Sequence, residues 1–256
     1  MDKIEKQKQH FESISDKYFN ARRTRNHLTL KKFLWSYFFR NENLVGDIPF
    51  KVLEPMCGYG EGKEIIANHL SPDFEYEGFD YSEPLIAKIK ESDPSLNVYV
   101  MDVTKYIPQK KYDVIILIGG LHHVPDYTEH VLRKVNEALN PNGYFINYEP
   151  TQNNFIMRFA RNVIYKKNRL FDQDTERAFE LKELNQIYSK TGFKIENQIY
   201  PGLLSYILYY NPDAFPLLNI GGERMVKVAF NFDKMFFRNS LGRKFSFTTL
   251  TLLKKA

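Results

Sequence analysis

The sequence predicts an α/β protein built on a doubly wound, mostly parallel sheet of seven strands. Three observations lead there. Short apolar runs alternate with helix-periodic segments over residues 46–150, the pattern of successive βαβ units. One run, Val114-Ile115-Ile116-Leu117-Ile118, is apolar without alternation, as a central parallel strand covered on both faces requires. The connections hold helices, so right-handed crossovers wind the sheet on both sides.

The chain opens with helices. Ile4, Phe11, Ile14 and Tyr18 recur at helical spacing, and Leu28, Leu30, Phe33, Leu34 and Phe38 mark a second helix. No strand pattern appears in this part, so residues 1–45 read as a helical cap. After the turn-rich NENLVGDIP, KVLEP is a first strand leading through glycines into the helix EGKEIIANHL, which Ser71-Pro72 closes. The unit repeats as EYEGFD with SEPLIAKIK, LNVYVMD with a short connection, and YDVIILIGG with YTEHVLRKVNEAL. GYFINYEP follows the Pro141-Asn142-Gly143 turn as the fifth strand, completing an α/β core at 46–150. Beyond Pro150, helices are expected at about 152–166 and 174–191, then a strand FKIENQIY and a last strand KFSFTTLTLL. The stretch between those two strands, about 201–243, far exceeds a hairpin loop of roughly 2–5 residues. Residues 151–256 therefore complete the sheet and carry an inserted segment, expected to act as a lid or to bind substrate.

Composition narrows the class. Of the 256 residues 43% are hydrophobic and 26% charged, which suits a water-soluble domain and excludes collagen-like, disordered and disulfide-scaffold chains. No apolar run reaches the roughly 18–20 residues of a spanning helix, and MDKIEKQKQH lacks a signal-peptide core, so the cytoplasm is the expected compartment. A single cysteine, Cys57, leaves no internal disulfide or multi-cysteine zinc site. Charge is uneven: residues 1–40 hold 10 Lys/Arg against 4 Asp/Glu and residues 221–256 hold 8 against 2, whereas 41–220 hold 18 against 25. Solvated helix faces account for this, and so do basic ends that meet an anionic partner.

The stretch that carries chemistry is Val52-Leu53-Glu54-Pro55-Met56-Cys57-Gly58-Tyr59-Gly60-Glu61-Gly62, a strand end, an acid, a glycine turn and a helix start. Glycines allow backbone to approach a ligand closely. The spacing is G-x-G-x-G rather than the G-x-G-x-x-G of a dinucleotide fingerprint, and Glu54 would repel a phosphate and attract a cation. A positively charged cofactor is expected, and a nicotinamide oxidoreductase is disfavoured.

LEPMCGYG, followed by Asp80 at the second strand end and Asp102 at the third, resembles the class I S-adenosylmethionine-dependent methyltransferases. The resemblance covers about 46–150, with weaker agreement at 180–200 and 244–254. It implies a Rossmann-like sheet whose last strand is antiparallel, with S-adenosyl-L-methionine as cofactor. Glu54, Gly58 and Gly60 match the family's first motif, and Met56 stands where its first glycine is expected, a position that should then hold a negative φ. Asp80 is implied as acceptor of two ribose hydroxyls, the alternative being a cap for the next helix. Asp102 is implied as acceptor from the adenine amino group, with Val103 among the apolar groups flanking the ring, the alternative being a turn former. Tyr81 and Ile118 complete the expected cofactor contacts, and Tyr18 on Asp16-Lys17-Tyr18-Phe19 is similar to the family's capping tyrosine, or else packs.

Leu121-His122-His123 resembles the corresponding segment of small-molecule members, and His122 or His123 is the candidate catalytic base, the alternative being packing and loop shape. Base-methylating enzymes carry Asn/Asp-Pro-Pro-Tyr/Phe where Gly119-Gly120-Leu121-His122 stands, so nucleic acid is not expected as partner. No carboxylate occupies 114–125, so magnesium-assisted deprotonation is not expected, and no metal is assigned. In the insertion Arg224, Lys227, Asn231, Lys234 and Arg238 form a basic stripe beside a broad apolar surface. Core, a homodimer partner, a lid over an apolar substrate and an anionic membrane surface are the covers open to it. The expected function is methyl transfer to an oxygen or nitrogen of a small molecule, anionic or linked to lipid or sugar. The alternative is a non-catalytic S-adenosylmethionine-binding regulatory or assembly module.

Overall fold

The computed structural model describes residues 3–40, 50–153, 158–159, 177–212 and 215–256. Two helices, α1 (Lys3–Ala21) and α2 (Arg25–Phe39), precede β1 (Phe50–Pro55), α3 (Glu61–His69), β2 (Phe74–Asp80), α4 (Glu83–Ser92) and β3 (Val98–Val100). Then come β4 (Tyr112–Ile118), α5 (Thr128–Ala138), β5 (Leu139–Pro150), α6 (Leu181–Lys190) and β6 (Phe193–Ile199). The insertion holds a π-helical turn at Tyr206–Tyr210, α7 (Glu223–Lys234) and α8 (Ser240–Phe245), and β7 (Thr248–Lys255) ends the chain.

The seven strands lie in the order β3-β2-β1-β4-β5-β7-β6. β1 pairs in parallel with β2 and β4, β4 with β5, and β7 runs antiparallel to β5 and β6. Strand order reverses between β1 and β4, and the crevice beyond the carboxyl ends of such strands is where open α/β sheets bind ligands. Both faces are covered. On one, Leu30, Leu34, Trp35 and Phe38 of α2 pack with α3 and the insertion; on the other, Val131, Leu132 and Val135 of α5 pack with Leu184 and Tyr188 of α6. Val114 to Leu117 are fully buried between these layers, which is why β4 tolerates no polar alternation. Among the described residues no helix is long and apolar enough to cross a membrane.

Several boundaries differ from the sequence expectation. Of the segment expected as helix from 174, the described part, from residue 177 on, becomes helical at Leu181, because Phe179 extends to bridge Thr151 and its N–H donates to Pro150 O. The helix expected at 152–166 and the turn at 41–49 lie, for the most part, outside the described residues. The Pro141-Asn142-Gly143 turn is absorbed as a register shift within β5, with Asn142 at φ 64°. The helix expected over 223–239 stops at Lys234, after which Asn239 caps α8 by accepting from Gly242 N. The last strand begins at Thr248 rather than 244, because 240–245 is α8.

Candidate active site

The glycine turn sits at the carboxyl end of β1. Met56, Gly58 and Gly60 alternate in the left-handed region at φ 54°, 51° and 77°. This corrects the expectation for Met56, whose φ is positive. Cys57 N is pinned to Phe79 O at 2.9 Å and Gly60 N to Cys57 O at 2.7 Å, so the backbone at 56 must turn left-handed whatever its side chain. The cost, of order 1–2 kcal/mol, is offset by packing, since Met56 lies against Gly120, where a Cβ would meet its Sδ at 2.9 Å. A Cβ at Gly58 would meet nothing within 4 Å, so the turn presents open backbone.

Glu54 lies beneath this turn, fully buried. Its Oε1 accepts from Gly62 N at 2.7 Å, and its Oε2 from the Tyr76 hydroxyl at 2.6 Å and Lys63 N at 3.3 Å. The carboxyl therefore caps α3 instead of pointing outward, and Gly62 is required because a Cβ there would fall 2.7 Å from Glu54 Cδ. Desolvation outweighs these donors and pushes the Glu54 pKa up to about 8. A cation beside the turn favours the carboxylate form.

Asp80 ends β2 facing the same turn. Its Oδ2 accepts from Gly58 N and its Oδ1 from Ser82 N, both at 3.0 Å, so it braces the glycine turn and caps the approach to α4 at once. Burial raises its pKa from the ordinary aspartate value. Asp102 accepts from Thr104 N at 2.9 Å and Thr104 Oγ1 at 2.8 Å, the turn-forming role weighed from sequence, and it also lines a small cavity. Met56, Tyr81 and Val103 line that cavity too, with Met101, His123 and Val124. Ile118 is not among its walls and packs partly buried toward the α2 side of the sheet. Tyr18 falls on α1, and its side chain lies outside what the structure describes.

Helix α1 closes the cavity. Ile4 and Gln7 form its outer wall, and Gln7, only 2% exposed, donates from Nε2 to His123 Nδ1 at 2.6 Å. Farther along, Glu12 accepts from Ser82 Oγ at 3.3 Å, and Phe19 meets the Tyr59 ring at 4.2 Å between centroids. Nothing in the charged sequence of α1 marks Gln7, whose burial depends on where the helix lies.

The histidine pair is held from both sides. The two rings lie 3.9 Å apart, and His122 Nδ1 is 2.9 Å from Oε2 of Glu149. Glu149, at the end of β5, is 1% exposed, and its Oε1 accepts from Gly120 N at 3.0 Å, Leu121 N at 2.9 Å and Asn147 Nδ2 at 3.3 Å. A carboxylate accepts only, so Nδ1 of His122 donates and the ring's lone pair falls on Nε2. Sequence reasoning missed Glu149. The signal was present, for an acid at the end of an apolar strand is what singled out Glu54, Asp80 and Asp102.

A family described as "Methyltransferase domain" matches residues 22–198. The chain is 28% identical over 155 residues to a demethylmenaquinone methyltransferase of Bacillus cytotoxicus, the match covering 57% of this chain and 62% of the relative's length. It is 41% identical over 69 residues to a malonyl-[acyl-carrier protein] O-methyltransferase 2 of Ilyobacter polytropus, 26% of either chain. Among solved structures, the cyclopropane synthase MmaA2 from Mycobacterium tuberculosis superposes with TM-score 0.61 at 15% identity, covering 88% of this chain and 84% of that one, a likeness of fold.

Proposed function

The chain belongs to the methyltransferase-domain family matched over residues 22–198, and on that premise we propose that it transfers a methyl group from S-adenosylmethionine to an oxygen or nitrogen of a small molecule. The observation that carries the acceptor chemistry is the Glu149–His122 pair. When bound, S-adenosylmethionine supplies an electrophilic methyl carbon on a positively charged sulfur. The chain's residues suit such a group. Open backbone at Gly58 and Gly60 accommodates its amino-acid part, Glu54 below the turn complements its charge, Asp80 accepts from ribose hydroxyls, and Asp102 with Val103 and Tyr81 receives the base.

His122 then acts as the base. Nε2 takes the proton of an O–H or N–H nucleophile, while Glu149 stabilises the resulting imidazolium through Nδ1 and holds the ring's orientation. His123, bonded to Gln7 and part of the cavity wall, positions α1 rather than moving a proton. The acceptor we propose is largely apolar, reached from a lipid surface through the insertion at about 201–243; the demethylmenaquinone methyltransferase relative supports an apolar acceptor, at 28% identity.

A methyl-transfer assay with demethylmenaquinone and related hydroxyl-bearing acceptors tests this reading. His122→Ala should bind S-adenosylhomocysteine normally and lose about 10²–10⁴-fold in turnover, and Glu149→Gln should lose activity with a shifted pH–rate profile. Full turnover in His122→Ala removes the base, and no turnover on any acceptor removes the activity.

A further inference from the structure

The inserted segment has two apolar faces and buries one of them. On α7, Val226, Ala229, Phe230 and Asp233 are buried, and Phe230 meets the rings of Phe33, Tyr37 and Phe237. A second row, Met225, Val228, Phe232 and Met235, recurs at spacings of 3 and 4 on the adjoining face. It stands in solvent, with Val228 70% and Met235 63% exposed. Leu217 and Ile220, at 88% and 62%, lead into the helix, and Asn26 of α2 ties that turn down through Asn219 Oδ1 and Gly221 O. Single exposed apolar side chains are ordinary; an ordered row of them is a contact surface.

Charge says what the surface meets. Arg224, Lys227 and Lys234 run along the flank of the exposed row, and among the described residues no ion pair engages them. The acids of this helix are Glu223 and Asp233, and Asp233 is turned inward to accept from Leu204 N, Ser205 N and Ser205 Oγ. A second copy docked on this face would bring like-charged rows together, which is unfavourable. We propose that this face of α7, with Leu217 and Ile220, docks on an anionic lipid bilayer. Phe232, Val228 and Met225 enter the headgroup boundary while Arg224, Lys227 and Lys234 meet lipid phosphates. The insertion returns to the sheet at Thr248, paired with Pro150, so the docking surface springs from the end of the sheet at which Glu149 lies bonded to His122. The inference rests on α7 and the turn that leads into it, and stands independently of methyl transfer.

Sedimentation of the full chain with vesicles tests it, using phosphatidylcholine alone and phosphatidylcholine mixed with phosphatidylglycerol. The native protein should be retained on the mixed vesicles at low salt and released at high salt. The pair Val228→Asp and Phe232→Asp should abolish retention, and Lys227→Glu with Lys234→Glu should weaken it roughly tenfold or more. Because these side chains are exposed, the variants should keep native thermal midpoints and native affinity for S-adenosylhomocysteine. No retention of the native protein, or equal retention of folded variants, overturns the proposal. Self-association without vesicles that Val228→Asp abolishes would also overturn it, by showing a second copy on the face. Cofactor binding is read separately, so its failure in the native protein counts against methyl transfer and not against docking.

Discussion

Asp80 illustrates how much one side chain can be asked to do. Both of its oxygens accept backbone N–H groups, from Gly58 and Ser82, so it shapes the glycine turn while facing the space proposed for a ribose. Asp80→Asn keeps an acceptor for one of these and removes the charge. It should weaken S-adenosylmethionine binding by roughly 1–3 kcal/mol in calorimetry, and an unchanged dissociation constant in the folded variant would remove the ribose role. Glu54, Asp80 and Asp102 stood out in the sequence as strand-end acids, whereas Glu149, which closes β5 in the same way, was missed. Met56 was legible as a position and misjudged in conformation, since its positive φ goes with a turn held by the hydrogen bonds that Cys57 N donates to Phe79 O and Gly60 N to Cys57 O. Gln7 was not legible, because its burial against His123 joins residues 116 positions apart.

Helix α7 makes the same point for elements. Its basic stripe was visible as a spacing, yet the sequence could not say which of two apolar rows faces α2. Burial at 226, 229 and 230 and exposure at 225, 228 and 232 settle it, because only the first row meets Phe33 and Tyr37. The two rows should respond differently to truncation. Phe230→Ala should lower unfolding stability by about 3–5 kcal/mol in denaturant, whereas Phe232→Ala should stay within about 0.5 kcal/mol. Equal losses would mean that the exposed row is covered within the protein itself. The late start of α6 has a similar cause: residues around Phe179 fit a helix locally, but pairing with Pro150 and Thr151 satisfies their backbone better at the sheet edge.

For the whole molecule, a fully buried acid leaves a pH signature. Glu54 titrates near 8 when folded, against an ordinary carboxyl value of 4.5, so the folded state holds a proton that the unfolded chain releases between those values. Its stabilising contribution is complete below the unfolded value and is lost as pH rises through about 8, at a slope of up to about 1.4 kcal/mol per pH unit. The thermal midpoint of the protein without cofactor should therefore fall between pH 6 and pH 8. Glu54→Gln should flatten that fall, and an undiminished slope in the variant would show that Glu54 is ionised throughout. The sequence by itself determined the α/β class, the seven strands, the glycine turn with its strand-end acids, and the family resemblance, because these rest on local periodicity and short-range spacing. Tertiary structure alone decided the pairing of Glu149 with His122, the closure of the cavity by α1, and which face of α7 stays outside. Those contacts join residues far apart in the chain, and burial, which sets both their geometry and the Glu54 proton affinity, comes into being only when the layers pack.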